Sequence, residues 1–180
     1  AAHGIGLAIS RQLAAQGARV VMADVLEEAV SASAELVRAE TGSETMVWIG
    51  DLSQEDCVKA MHQASLERFG KATILVNNAG GGVIRPFLDH TPETLRATID
   101  RNLWTALWCC RVFLPDMVGM HYGRIINIGA DSVRNGLWQH AAYNAAKGGM
   151  HGLTTGLARE FAQQGITVNT VAPCAVRTAA

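Results

Sequence analysis

The chain has 180 residues, of which 49% are hydrophobic and 17% charged, and its formal net charge is -1. This balance is that of one globular domain with a sizeable core. The near-neutral charge and the lack of a basic run argue against nucleic acid or an anionic membrane as a partner, and no apolar stretch approaches the length of a bilayer span.

Helical and strand-like segments alternate along the sequence. In chain order the pattern predicts a helix over 4–16, a strand over 19–23, a helix over 27–40, a strand over 46–49, a helix over 53–69 and a strand over 74–76. A further helix begins at Thr91-Pro92, followed by a strand over 124–128, a helix over 139–164 and a last strand over 167–171.

These strands read as apolar throughout, which predicts a parallel sheet covered on both faces. Right-handed crossovers then give an α/β fold, a Rossmann-type doubly wound parallel sheet in a single domain over 1–180. Ligands of such sheets bind beyond the carboxyl ends of the strands. The helix from Thr91 should be bent or ended by Pro115, and its predicted apolar face consists of Leu95, Ile99, Leu103, Leu107, Cys110, Leu114 and Met117.

A glycine turn and an aspartate mark a candidate dinucleotide site. Gly4-Ile5-Gly6 opens the first helix, where glycines admit a pyrophosphate, although a tight turn explains two glycines about as well. Asp24 ends the next strand, where a carboxylate accepts from ribose hydroxyls and repels a 2′-phosphate; a solvated loop aspartate is the alternative. The pattern favours NAD over NADP. His3, just before the glycines, is the one basic residue that would weaken this preference.

Two further loops follow strands on the same edge. Gly50-Asp51-Leu52 follows the strand over 46–49, and Asn77-Asn78-Ala79-Gly80 follows the strand over 74–76. Small residues and amides there would let the chain pack against a ribose. Each loop taken singly is ordinary loop chemistry, so their weight comes from occurring together.

Tyr143 and Lys147 are four residues apart, which places them one turn apart on one helix face. A free phenol titrates near pH ~10, and a fixed ammonium nearby should lower that pKa. The pair could then exchange protons with an alcohol or a ketone. Since this spacing alone is a common surface coincidence, its meaning depends on the other motifs.

Together these motifs resemble those of the short-chain dehydrogenase/reductase family, over essentially all 180 residues. The resemblance implies Tyr143 as the acid/base, Lys147 as the residue that holds the nicotinamide ribose, and Asn102 as a helix residue that breaks local bonding and holds a water. It further implies hydride transfer between a substrate carbon and the nicotinamide. The cofactor would be bound by Gly4, Ile5, Gly6, Asp24, Asp51, Leu52, Asn78, Ala79, Gly80, Tyr143, Lys147, Pro173, Val176 and Thr178.

The sequence departs from the family pattern at three places. Ala130 stands where the family places its catalytic serine, thirteen positions before the tyrosine, so Ser132, Asp131 or a water must take that role, and Ser132 is favoured. Cys174 stands where a glycine is usual, and it is read as a small hydrophobic residue rather than a reactive thiol. The chain also begins inside the glycine loop and stops before the family's substrate lid, so we expect it to be part of a longer molecule.

The substrate side is apolar, with Val83, Ile84, Phe87, Leu137 and Trp138 in the predicted loops, which suits a ring or alkyl substrate. Arg85 and Arg134 could meet a carboxylate, although solvated surface positions are favoured. A less specific resemblance, carried by 81–87, 107–111, 114–117 and 128–136, is to cis-dihydrodiol dehydrogenases of the p-cumate-diol or benzoate-diol type. The alternatives are a ketone or 3-oxoacyl reductase and a dinucleotide-binding protein with little catalysis.

The remaining expectations concern assembly and compartment. The four cysteines form no C-x-x-C and the six histidines form no H-E-x-x-H, so we expect no metal, no disulfide scaffold and a reducing, cytoplasmic compartment. The family resemblance implies a homodimer or homotetramer formed by the helices around Asn102 and Tyr143. Trp104 and Trp108 would lie in that interface or in the core.

Overall fold

The computed structural model describes residues 1–176, and its elements follow the predicted order. The first elements are α1 (Gly4–Ala15), β1 (Val20–Asp24), α2 (Glu27–Thr41), β2 (Thr45–Ile49), α3 (Glu55–Phe69) and β3 (Ile74–Asn77). After a short 3₁₀ turn at Phe87–Asp89 come α4 (Pro92–Ile99), a π-helical segment (Asp100–Trp104), α5 (Thr105–Met120), β4 (Gly123–Ile128), α6 (Ser132–Asn135), α7 (Ala141–Phe161), a 3₁₀ turn at Ala162–Gln164 and β5 (Ile166–Val171).

Residues 1–51 and 63–70 form one compact unit. Its strands β1 and β2 are parallel and pair Val20 with Thr45 through to Asp24 with Ile49. Both α1 and α2 contact these strands. The enclosed core consists of Ala2, Ala14, Met22, Val30, Ala34 and Val37. This packing leaves Asp24 at the carboxyl end of its strand.

Residues 52–62 and 71–176 form the second compact unit. Its three strands are parallel in the order β3-β4-β5. Helices α5 and α7 pack on this sheet, because their apolar faces meet the apolar side chains of β4 and β5. The buried core here consists of Cys110, Leu114, Met117, Ile125, Ile166 and Val168.

The expectation that the strands are apolar throughout is wrong for this second sheet. Asn77, Asn127 and Thr170 are register partners on three adjacent strands. Asn77 Nδ2 donates to Asn127 Oδ1 at 2.8 Å, and Asn127 Nδ2 donates to Thr154 Oγ1 at 2.8 Å. Thr170 Oγ1 donates to the same Thr154 hydroxyl at 2.7 Å. Burial of these polar groups is tolerated because each finds a hydrogen-bond partner.

The predicted helix from Thr91 is three consecutive segments. Its start is confirmed, with Thr91 and Thr94 forming a reciprocal capping box and Pro92 at the first helical position. Pro115 does not end α5, which runs on to Met120 and stops where His121 adopts a left-handed conformation. The predicted apolar face is buried at Cys110, Leu114 and Met117 but only partly buried before the π-helical segment.

Smaller differences lie at element ends. α3 begins at Glu55 rather than directly after Ser53, and α7 begins at Ala141 rather than at Gln139, whose φ of 62° is left-handed. The short helix α6 was not predicted. In the described part of the chain, no helix is long and apolar enough to span a bilayer.

Candidate active site

The glycine turn lies at the N-terminus of α1 in the first unit. Gly4 has a φ of 54°, a left-handed conformation that favours glycine. His3 precedes the helix without a side-chain capping bond, and the first turn carries no acidic residue. The free N–H groups and the positive end of the helix dipole therefore suit an anionic group such as a pyrophosphate.

Asp24 lies beside the residues that lead into this turn. Its Oδ2 accepts from the Ala2 N–H at 2.8 Å, and its Oδ1 accepts from the N–H groups of Val25 at 2.9 Å and Leu26 at 3.2 Å. Burial opposes ionisation of this carboxyl and raises its pKa, whereas the backbone N–H donors of Ala2 and Leu26 stabilise the charged form and lower the pKa. Because an aspartate carboxyl ordinarily titrates near pH ~3.9, the side chain is an anion at neutral pH, as the proposed ribose contact requires.

Tyr143 and Lys147 lie on α7 in the second unit. The Lys147 side chain is buried, and its Nζ donates to the Ile128 carbonyl at 2.7 Å. The ammonium nitrogen lies 5.9 Å from the centroid of the Tyr143 ring. The sequence therefore correctly places the two groups on one helix face, while the end of β4 holds the lysine.

The expected lowering of the phenol pKa is wrong for this structure. Burial raises the pKa of Tyr143, because desolvation disfavours the phenolate and the Lys147 ammonium is bonded to the backbone instead. Burial also lowers the pKa of Lys147 to about 8. Tyr143 is therefore a protonated phenol at neutral pH, set to act as an acid, and it must be deprotonated before it acts as a base.

Asn102 lies at the centre of the π-helical segment and is fully buried. Its Nδ2 donates to the Thr98 carbonyl at 2.8 Å and to the Gly81 carbonyl at 2.7 Å, while its Oδ1 accepts from the Gly81 N–H at 3.1 Å. Because the side chain takes the carbonyl that an α-helical N–H would use, the local backbone bonding shifts to the wider π pattern. Asn102 thereby holds the loop after β3 on both sides of Gly81.

The loop after β3 lies close to the side chains of Asn102, Lys147 and Tyr143. A Cβ on Gly80 would lie 2.6 Å from Asn102 Oδ1 and 3.2 Å from Lys147 Nζ. A Cβ on Gly82 would lie 3.1 Å from the Tyr143 ring. The glycines thus let the loop contact Asn102, Lys147 and Tyr143 together, and the second unit brings these three predicted residues to one place.

Ser132 lies at the start of α6 and is buried. Its hydroxyl donates to Asn144 Oδ1 at 2.6 Å. A hydroxyl has one proton to donate, so in this arrangement Ser132 has none for a substrate oxygen. The Ala130 position is also buried, and it carries no polar side chain.

The other predicted cofactor residues follow the strand ends. Asp51 and Leu52 follow β2 after Gly50, and Asn78 and Ala79 come directly after β3. Pro173 accepts a backbone hydrogen bond from Asp131 N–H at 3.0 Å, and Val176 and Cys174 are exposed. Thr178 lies outside the described residues. Within residues 1–176, no group of three His, Cys, Asp or Glu side chains is arranged to hold a metal ion.

Several residues that shape the site were missed by the sequence reasoning. They are the Ile128 carbonyl that holds Lys147, Asn144 that holds Ser132, the buried Asn127 and His151. An amide inside an apolar strand was a usable signal for Asn127. The other three are set by contacts between elements, and the sequence carries no pattern for those.

The sequence profile of the family described as "short chain dehydrogenase" matches residues 1–180. The chain belongs to the short-chain dehydrogenase family. It is therefore an oxidoreductase that uses a nicotinamide dinucleotide and acts on a small molecule, as the motifs predicted.

Two relatives specify the resemblance further. The 2,3-dihydroxy-2,3-dihydro-p-cumate dehydrogenase of Pseudomonas putida is 68% identical over 177 residues, covering 98% of this chain and 68% of that protein. The 1,6-dihydroxycyclohexa-2,4-diene-1-carboxylate dehydrogenase of Pseudomonas putida is 38% identical over 175 residues, covering 96% of this chain and 63% of that protein. The predicted resemblance to dihydrodiol dehydrogenases is confirmed.

Solved structures confirm the Rossmann-type α/β class. A metagenomic short-chain oxidoreductase in complex with NADP matches with a TM-score of 0.91 and 36% identity, covering 96% of this chain and 78% of that chain. An NAD⁺-bound xylitol dehydrogenase matches with a TM-score of 0.90 and 30% identity, covering 94% of this chain and 65% of that chain. Their different cofactors leave the choice between NAD and NADP to the residues of this chain.

Proposed function

We propose that this chain is an NAD-dependent dehydrogenase that oxidises a cis-dihydrodiol of an aromatic compound to a catechol. One observation carries the proposal. Tyr143, Lys147 and Asn102 contact one glycine loop, in a chain that is 68% identical to a dihydro-p-cumate dehydrogenase. The substrate named for that relative is a cyclohexadiene diol.

The residues present suit a nicotinamide dinucleotide. The uncapped N-terminus of α1 suits its pyrophosphate, and the Asp24 carboxylate, held by the Ala2 N–H, suits the adenosine ribose of NAD while repelling the 2′-phosphate of NADP. When bound, the nicotinamide ring supplies the carbon that accepts the hydride. Further contacts are proposed for Asp51, Leu52, Asn78, Ala79, Gly80, Lys147, Pro173, Val176 and Thr178.

In the proposed reaction Tyr143 first releases its phenol proton to water. One diol carbon then loses a hydride, and its hydroxyl loses a proton to the Tyr143 phenolate. The resulting ketol enolises, and the gain of aromaticity drives the step towards the catechol. Lys147 holds the ribose hydroxyls beside Tyr143, and Asn102 keeps the loop in place. Ser132 donates a hydrogen bond to the substrate oxygen once its hydroxyl has turned away from Asn144, which needs rotation about one single bond. Asp131 or a water is the alternative group for this role.

The test is turnover of the purified protein with NAD⁺ or NADP⁺ and a panel of cis-dihydrodiols, secondary alcohols and 3-oxoacyl thioesters. We expect NAD⁺ and a dihydrodiol to give the highest kcat/KM. Tyr143→Phe should abolish turnover and leave NAD⁺ binding intact, because the oxygen that accepts the proton is lost while the ring remains. Tyr122→Phe, at the chain's other tyrosine, is the matched control and should stay active.

Other results would assign the alternatives. Reduction of a 3-oxoacyl thioester without oxidation of any dihydrodiol would make the chain a reductase. Binding of NAD⁺ without turnover of any compound would make it a dinucleotide-binding protein. Unchanged activity of Tyr143→Phe would remove Tyr143 from the mechanism.

A further inference from the structure

His151 has no part in the proposed reaction, yet its ring lies against the end of β4. It follows Lys147 by one turn on α7. The ring Nε2 lies 3.4 Å from the Ala130 nitrogen and accepts its N–H. Any Cβ on Gly129 would collide with Nε2 of this ring and would come within 2.6 Å of Thr170 Cγ2. The imidazole therefore occupies the space that a side chain at position 129 would need.

The residues on either side of Ala130 donate their N–H groups to β5 and to the chain that follows it, not to His151. Gly129 N–H donates to the Val171 carbonyl at 2.7 Å, and Asp131 N–H donates to the Pro173 carbonyl at 3.0 Å. Successive N–H groups of an extended chain point to opposite sides, so the Ala130 N–H points away from Val171 and Pro173. His151 supplies the acceptor on that side.

The charge around His151 favours its neutral form. Lys147 on the same helix and Arg134 on α6 are the cations that face it. Gly129, which follows β4, and Thr170 on β5 are uncharged. Burial first, and then these two cations, lower the pKa of His151. A neutral imidazole that accepts at Nε2 carries its proton on Nδ1.

We propose that His151 is a positioning residue that fixes Gly129, Ala130 and Asp131 through its neutral imidazole, at the place where the family pattern has a serine. This rests on the proposed function, because that strand end leads into the substrate side of the site. A protonated imidazole has no lone pair to accept the Ala130 N–H, and Lys147 and Arg134 would repel it. Acid pH should therefore release the strand end and weaken substrate binding.

The first test compares His151→Gln with His151→Leu over pH 5 to 8. Gln offers an amide oxygen that does not titrate, and Leu offers no acceptor. We expect the dihydrodiol KM of the wild type to rise as the pH falls. At pH 7.5 the KM of His151→Gln should stay within about twofold of the wild-type value, and at lower pH it should rise much less than the wild-type KM does. His151→Leu should raise KM by about tenfold at every pH, because the buried Ala130 N–H is left without an acceptor and this is costly.

The second measurement does not depend on activity. The amide proton of Ala130 should shift with histidine titration in the NMR spectrum of the wild type and should not in His151→Gln. His62→Gln, which removes a histidine bonded to Asp116, should retain the Ala130 titration. This readout also serves if His151→Leu fails to fold.

The outcomes separate this inference from the proposed function. If no dihydrodiol is oxidised but Ala130 titrates with His151, the proposed function fails and the positioning role stands. If dihydrodiols are oxidised while His151→Gln keeps the wild-type pH profile of KM, or if the Ala130 amide does not titrate in the wild type, the positioning role is overturned.

Discussion

Lys147 shows how burial at a single residue sets both charge and stability. Its ammonium is removed from water and retains the Ile128 carbonyl as a hydrogen-bond acceptor. One hydrogen bond offsets only part of the lost hydration, so the pKa falls to about 8, whereas an unfolded lysine titrates near pH ~10.4. Between these values the unfolded chain binds more protons than the folded chain, and the Lys147 contribution to stability grows as the pH rises.

A prediction follows for Lys147→Met, which keeps the length of the side chain and removes the titrating group. The free energy of unfolding of the wild type, relative to Lys147→Met, should increase by about 2 kcal/mol between pH 8 and pH 10. Urea unfolding at several pH values measures this difference. Burial also raises the pKa of Cys109 to about 12 and of Cys110 to about 11, so both proteins lose stability at alkaline pH. This loss is the same in the wild type and in Lys147→Met, and it cancels when their free energies of unfolding are subtracted.

A constant difference between the two proteins across this pH range would contradict the prediction. It would mean that the Lys147 ammonium is hydrated in solution. The buried hydrogen bond to Ile128 would then be absent from the ensemble.

At the scale of elements, the site depends on how closely the loop after β3 approaches α7 and the π-helical segment. Gly80→Ala should move this loop, because the added methyl would lie 2.6 Å from Asn102 Oδ1 and 3.2 Å from Lys147 Nζ. Displacement of catalytic groups by about 1 Å can cost about 10²-fold in rate, and we expect a loss of this order in kcat/KM. Steady-state kinetics on the dihydrodiol measures it.

Gly152→Ala is the matched control, since Gly152 lies on α7 and a Cβ there would have no atom within 4 Å. It should leave kcat/KM unchanged and stabilise the helix by about 0.5–1 kcal/mol, because alanine loses less backbone entropy on folding. Full activity of Gly80→Ala would mean that the loop accommodates a methyl, and that its contact with Asn102 does not position the site.

For the whole molecule, sequence patterns predicted the order of strands and helices because apolar runs and helix caps are local signals. They failed where a structure depends on distant partners. The sequence predicted Asn77 as a loop residue, whereas in the structure its side chain is hydrogen-bonded to that of Asn127, fifty positions later. The π-helical segment likewise needs the contact of Asn102 with Thr98 and with the glycine loop, and burial of Tyr143 reversed the expected direction of its pKa shift.

The same limit applies to assembly, which we propose to be a homodimer or homotetramer formed by the helices around Asn102 and Tyr143. Trp104 and Trp108 stack with ring centroids 5.2 Å apart, and Trp104 remains 41% exposed. An indole that is stacked on one side and open on the other suits an interface, since aromatic residues are enriched there. The two tryptophans are therefore not simply core residues.

Trp104→Glu should shift the protein to a smaller species in sedimentation velocity, because a carboxylate in an apolar contact between subunits loses its hydration without a partner. Trp138→Glu is the matched control: Trp138 is 85% exposed on a loop, so the same added charge should leave the sedimentation coefficient unchanged. A monomeric wild type, or a Trp104→Glu protein that sediments like the wild type, would exclude this surface as the interface. If Trp138→Glu alone dissociates the assembly, then the loop that follows α6 forms the contact instead.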